Sequence, residues 1–186
     1  MLPGELKGVP VRVLLTEEQL REGVSRMAGQ VASVYGNRPL TIIGVLTGSI
    51  VLLADLIRQL TMPLRVGVLQ ASSYRQGTNR GALIVNSEMM LGIAGREVLL
   101  LDDIFDTGHT LVEVLAALRA YQPASLRSAV LLRKSGRQEV ELVPDFIGFE
   151  IPDEFVVGYG LDCGDLYRNL PYLAALEPAD LPKDMA

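Results

Sequence analysis

The chain has 186 residues, 49% of them hydrophobic and 21% charged, with 17 basic against 22 acidic side chains and a formal charge of −5. At roughly 100 to 200 residues per domain this reads as one domain over 1–186, long enough to bury about 70% of its unfolded surface. A disordered or fibrous chain is excluded by composition, and the acidic balance leaves no general basic field for nucleic acid or an anionic membrane.

Cys163 and His109 are the single cysteine and histidine. An intrachain disulfide, a cysteine zinc cage and a His-rich metal site are therefore excluded, and any metal sits on carboxylate oxygens. The opening MLPGELKGVPVRVLL lacks the basic and long apolar regions of a signal peptide. No apolar run approaches the ~18 residues that a membrane span needs. The sequence reads as cytoplasmic, with no membrane partner.

Residues 11–15 form a short β-rich run. Thr16-Glu17-Glu18-Gln19 then offers an N-cap, first-turn acids and a capping-box Gln for a helix to about Tyr35. Leu20, Val24, Met27, Val31 and Val34 step by three and four, which lays one face on a core; this apolar helix is also a candidate for an interface. Gly36-Asn37-Arg38-Pro39 stops it. LTIIGVL (40–46) reads as a buried strand, 47–49 as a tight turn, 50–60 as a helix and 64–69 as a strand. The polar, Gly-containing stretch 70–81 is a long loop or an open hairpin, a common form for a functional lid, with 82–86 extended after it. Residues 96–101 make the most hydrophobic strand, 102–107 leave its C-terminal end, and 110–121 resume helical spacing. Short strands follow at 128–132, 145–149 and 155–157. Strands alternating with helices imply an α/β fold with a mostly parallel sheet and a ligand beyond the strand C-termini.

The informative segment is VLLLDDIFDTGHTL (98–111), where four apolar residues end in Asp102-Asp103 and Asp106 follows. Adjacent acids at a buried strand end repel each other and lose solvation. A single Asp there would be an ordinary turn or cap residue; three within five residues, followed by Thr-Gly-His-Thr, point to chemistry. Thr107, Gly108, His109 and Thr110 put backbone N–H groups and two hydroxyls at a helix N-terminus, suited to a phosphate. Carboxylates beside such a cradle suit a phosphorylated sugar, by accepting from a ribose diol or by holding a hard cation.

This segment resembles the phosphoribosyl-pyrophosphate motif of the type I phosphoribosyltransferases. Leu46-Thr47-Gly48-Ser49 resembles the family's pyrophosphate loop and Ser73-Tyr74 its lid. PDFIGFEIPDEFVVGYGLD and YRNLPY, within 144–172, resemble the hypoxanthine-guanine branch. The resemblance implies a type I phosphoribosyltransferase fold: a mostly parallel sheet flanked by helices, a small C-terminal hood over about 144–172 that binds the base, and a flexible lid over about 70–82. It implies magnesium-dependent purine salvage, in which N9 of hypoxanthine or guanine attacks C1 of phosphoribosyl pyrophosphate to give IMP or GMP and pyrophosphate. It also implies a homodimer or homotetramer.

Residue by residue, the resemblance implies that Asp102 and Asp103 lie by the ribose hydroxyls and in the Mg2+ shell. Asp106 lies near N7 of the purine as proton acceptor and catalytic residue, and Thr107, Gly108, His109 and Thr110 hold the 5′-phosphate, with His109 a loop or cap residue and not the base. Lys134 matches the lysine that donates to the purine O6, which rejects adenine; its neighbour Arg133 is the alternative by one residue. Phe155 matches the aromatic stacked on the base, and Val156 offers only its backbone. Asp162 matches an acid near a second magnesium and the purine 2-position, and Arg168 one that contacts pyrophosphate. Gly48 and the backbone of Thr47 and Ser49 face pyrophosphate, with a non-proline cis peptide at Leu46-Thr47, while Ser73 and Tyr74 close over the site. Departures from the family pattern are Thr47, where many relatives carry a basic or amide side chain, Glu154 in place of lysine, and Cys163-Gly164 in place of bulkier residues.

Other readings fit less well. Gly158, Gly160 and Gly164 follow a strand, but their G-x-G-x-x-x-G spacing and the short remainder, 165–186, do not complete a dinucleotide-binding unit. No G-x-x-x-x-G-K-[ST] occurs. A regulator that binds nucleic acid on the same fold would need a basic face and no use for Asp106, Lys134 and Phe155.

Overall fold

The computed structural model describes the backbone of residues 5–6, 9–10, 12–76, 79–86 and 92–177, and the side chains of 12–71 and 92–177. After β1 (Glu5–Leu6), β2 (Val9–Pro10) and β3 (Arg12–Leu15), helix α1 covers Glu17–Tyr35. Its capping box forms: Gln19 N–H donates to Thr16 Oγ1 at 3.2 Å, and Thr16 N–H donates to Gln19 Oε1 at 2.9 Å. Leu20, Val24, Met27, Val31 and Tyr35 are at most 1% exposed, each aliphatic one worth about 1.5–3 kcal/mol of burial. That stripe packs into the protein's own core.

The chain continues through β4 (Leu40–Leu46), α2 (Ile50–Ile57), β5 (Leu64–Gln76), β6 (Asn79–Asn86), β7 (Glu97–Phe105), α3 (His109–Arg119), β8 (Ser125–Lys134) and β9 (Phe146–Ile151). These strands form one sheet in the order β6-β5-β4-β7-β8-β9, parallel except for the β5–β6 pair. Of the two alternatives for 70–81, the hairpin forms: β5 runs to Gln76 and pairs with β6. The backbone of Ser73 and Tyr74 lies on β5; their side chains lie outside the described residues, as do residues 77–78 of the lid and residues 178–186 of the tail.

Successive residues of β7 serve opposite faces of the sheet, as its pleat requires. Leu99 and Leu101 join the core under α1 and α2, while Val98 and Leu100 join the core under α3. From the central β4 the chain goes to β5 on one side and later to β7 on the other. The C-terminal ends of β4 and β7 therefore flank a switch point, the place where open α/β sheets hold ligands.

Strand β7 is longer than its sequence suggested. Residues 102–105 do not leave the sheet, because Phe105 is 1% exposed in one core and Ile104 packs against the other. The diacid thus rides on a strand and not on a loop. A second sheet has the order β10 (Phe155–Val157), β11 (Leu173–Leu176), β3, all antiparallel. The segment 144–172 divides between the two sheets, and the hood takes one strand from near the N-terminus.

Candidate active site

Asp102 is 7% exposed, and its Oδ1 accepts from Asp103 N–H at 3.0 Å. Desolvation, with the neighbouring Asp103 charge added, pushes its carboxyl well above the ordinary carboxylate range. Desolvation raises Asp103 as well. The N–H of Ile104, which donates to Asp103 Oδ1 at 2.7 Å, and the Arg168 guanidinium work against that rise. Two acids held in this way favour a cation or a hydrogen-bond donor that restores their charge.

The turn after β4 opens with a cis peptide at Leu46-Thr47. Gly48 lies under the diacid, since a Cβ built on it would overlap the Asp103 carboxylate. Gly160, at φ +103°, in turn lies against the Gly48 carbonyl. Arg168 locks this stack, with Nη1 donating to Gly160 O at 2.9 Å and Nη2 lying 2.8 Å from Asp162 Oδ1. Ser49 behaves differently from its neighbours. It is fully buried, and both its hydroxyl, at 2.6 Å, and its N–H donate to Val45 O, so it closes the turn and stays out of the cleft.

Gly108, at φ +91°, is the N-cap of α3 and makes no side-chain cap hydrogen bond; a helix start of this kind suits an anion. Thr107, Gly108 and Thr110 line a cleft of about 540 Å3 together with Thr47, Gly48, Asp102, Asp103, Asp106, Asp162 and Arg168. His109 is not among its lining residues and lies 2.9 Å from Glu139 through Nε2. A second pocket of about 240 Å3 is lined by Lys134, Phe155, Val156 and Leu161, and shares Asp103, Ile104, Asp106 and Asp162 with the cleft.

Strand β8 turns the two basic residues to different surroundings. Lys134 enters the pocket, its side chain only 13% exposed and Nζ 3.3 Å from Asp153 Oδ1 and 3.7 Å from Asp106 Oδ2. Arg133 turns to Gln138 and Glu150 instead. Phe155 borders the pocket, while the Val156 side chain is 4% exposed and belongs to the core. Sequence reasoning missed Arg137, whose Nε donates to Asp106 Oδ1 at 3.1 Å. A basic residue three positions after Lys134, beyond Gly136, was the available signal. It also missed the Tyr159 hydroxyl, which donates to Asp55 Oδ2 at 2.6 Å and ties the hood to α2. A further cavity of about 530 Å3 between α1, α2 and the hood contains Arg168 but none of the three acids.

A diacid near a strand end, a glycine-capped helix start and a glycine-tight loop meet at one switch point, and residues 13–163 match the model of the phosphoribosyl transferase domain. The chain belongs to the phosphoribosyl transferase family and has its type I fold. Among its relatives, the hypoxanthine-guanine phosphoribosyltransferase of Aquifex aeolicus is 39% identical over 175 residues, 93% of this chain and 98% of the relative. The crystal structure of such an enzyme from Bacillus anthracis superposes with a TM-score of 0.83 at 36% identity, covering 89% of this chain and 98% of that one. The hypoxanthine phosphoribosyltransferase of Trypanosoma cruzi, solved with the product IMP, gives a TM-score of 0.85 at 35% identity, with 95% of each chain covered. The protein is an enzyme, a pentosyltransferase of the hypoxanthine-guanine branch.

Proposed function

We propose that the protein transfers the 5-phosphoribosyl group of phosphoribosyl pyrophosphate to N9 of hypoxanthine, and of guanine, forming IMP or GMP and releasing pyrophosphate. The observation that carries this reading is the wall shared by two cavities. Asp103, Ile104, Asp106 and Asp162 border both the polar cleft and the smaller pocket behind Lys134 and Phe155. A sugar phosphate in the first and a flat base in the second meet there, where a bond from C1 to a ring nitrogen has to form.

In this reading the N–H groups and hydroxyls of Thr107 and Thr110, with the N–H of Gly108, take the 5′-phosphate, His109 bordering that loop. As the C1–N9 bond forms and the C1–pyrophosphate bond breaks, the Asp106 carboxylate accepts the proton at N7. Lys134 donates to a 6-oxo group, whereas the 6-amino group of adenine offers it no acceptor of that kind. Phe155 covers a face of the base and the Val156 backbone borders its edge. Arg168 and the backbone of Thr47 and Gly48 receive pyrophosphate; Ser49 supports that turn from beneath. Ser73 and Tyr74 belong to the lid that excludes water.

Magnesium fits this donor set. The ion is usually held by one or two carboxylates, with substrate phosphates and water completing six oxygens. Asp102 and Asp103, and Asp162 across the cleft, are donors of that type, and among the described residues no three His, Cys, Asp or Glu side chains converge into a cage. A bound ion would neutralise charge on the departing pyrophosphate. A cytoplasmic location and a homodimer or homotetramer complete the proposal. Cys163 is buried in the hood core, and Ile50 on α2 is 48% exposed; no helix among the described residues is long and apolar enough to cross a membrane.

The test mixes purified protein with phosphoribosyl pyrophosphate, Mg2+ and hypoxanthine and follows IMP. Formation of IMP that stops with EDTA and resumes with excess Mg2+ is the expected result. Binding of phosphoribosyl pyrophosphate without turnover of any base would instead favour a regulator.

A further inference from the structure

The segment after Lys134 is a strap across the phosphate turn. Arg133 donates to Gln138 Oε1 at 2.9 Å, and Gln138 Nε2 donates to the carbonyls of Val140 and Leu142 at 2.7 and 3.2 Å, which fixes the strap internally. Glu139 N–H donates to Thr107 O at 3.0 Å, and the Glu139 carboxylate reaches His109. Val140 packs on Gly108, where a Cβ would overlap it. A strap held at these points delivers Arg137 to the rim of the cleft.

There Arg137 Nε lies 3.1 Å from Asp106 Oδ1 and 3.6 Å from Asp153 Oδ2, while Lys134 Nζ lies 3.7 Å from Asp106 Oδ2 and 3.3 Å from Asp153 Oδ1. Each carboxylate touches both cations, and the two cations take different oxygens of each. Lys134 borders the base pocket; Arg137 borders the cleft and not that pocket. An ammonium that donates to a purine loosens its hold on the acids. The guanidinium does not have to.

We propose that Arg137 is the positioning residue of Asp106: it anchors Oδ1 so that Oδ2 stays aimed at the base while Lys134 is engaged. This rests on the reading that Asp106 accepts the N7 proton. Pairs in which both side chains are 40–49% exposed add little to stability, so the consequence belongs to turnover. A misplacement of the acceptor by a fraction of an ångström slows the step without weakening substrate binding.

The test compares Arg137→Ala, Arg137→Lys, Asp106→Asn and the Arg137→Ala/Asp106→Asn double variant, each as the full chain with phosphoribosyl pyrophosphate, Mg2+ and hypoxanthine. Arg137→Ala is expected to lower kcat on the order of tenfold, with the KM for phosphoribosyl pyrophosphate and the melting temperature little changed. Arg137→Lys should recover part of the loss. In the Asp106→Asn background the alanine change should cost nothing further, because the two act as a unit. Wild-type kcat in Arg137→Ala, with Asp106→Asn impaired, overturns the proposal alone. A raised KM for phosphoribosyl pyrophosphate at unchanged kcat also overturns it, making Arg137 a phosphate ligand. Wild-type turnover in Asp106→Asn removes the N7 reading and the proposal together.

Discussion

Gly48 sits so close beneath Asp103 that no side chain fits between them: a Cβ at Gly48 would overlap the Asp103 carboxylate. That contact joins the loop after β4 to the end of β7 and sets the floor of the cleft. Asp103 has little room to retreat, since its Oδ1 is held by Ile104 N–H at 2.7 Å. Gly48→Ala is therefore expected to displace the diacid and lower kcat/KM for phosphoribosyl pyrophosphate at least about tenfold, or ~1.4 kcal/mol. Steady-state kinetics check this, and a change within twofold would contradict it.

Asp106→Asn keeps the shape of the side chain and, in the proposed reaction, removes the acceptor of the N7 proton. Turnover should fall on the order of 100-fold or more, while the affinity for phosphoribosyl pyrophosphate, read by calorimetry, stays within a few-fold. Equal losses in both would make Asp106 a sugar-binding group.

Lys134 and Arg133 are adjacent but face different surroundings, the smaller pocket for one and the strap for the other. Lys134→Ala should raise the KM for hypoxanthine about tenfold and narrow the gap to adenine. Arg133→Ala should leave base selectivity where it was. Selectivity lost in Arg133→Ala and kept in Lys134→Ala would reverse the assignment.

The raised acid of Asp102 carries a stability cost with a definite sign. A carboxyl that holds its proton more tightly when folded loses stability as pH rises from the unfolded value near 3.8 through the higher folded one. Asp102→Asn removes that loss. Its melting temperature should exceed that of the parent near pH 8, and the difference should close toward pH 4. Melting curves across this range check it; a less stable variant at pH 8 would contradict it.

Much of this arrangement was legible before the structure. Period-three-and-four spacing gave α1, and Thr16 with Gln19 gave its start. The abrupt passage from Leu101 to Asp102 marked the site. What local pattern could not carry was long-range pairing. The hood unites Val13 with Ala174 and Val156 with Ala175, partners whose distance along the chain leaves no periodic trace. The extension of β7 was hidden because Asp102-Asp103 reads as a strand end, while Ile104 and Phe105 find burial only in the assembled core. The backbone of Ser49 is expected to face the ligand, and only the buried turn reveals that its N–H and hydroxyl both donate to Val45 O. Arg137 is an ordinary exposed residue until the strap brings it to Asp106.

The most direct measurement supplies hypoxanthine, guanine, xanthine, adenine and uracil in turn, with phosphoribosyl pyrophosphate and Mg2+, and compares kcat/KM. Hypoxanthine or guanine is expected to lead adenine and uracil by at least about 100-fold, with all turnover lost on EDTA. Adenine or uracil used as well as hypoxanthine would contradict it.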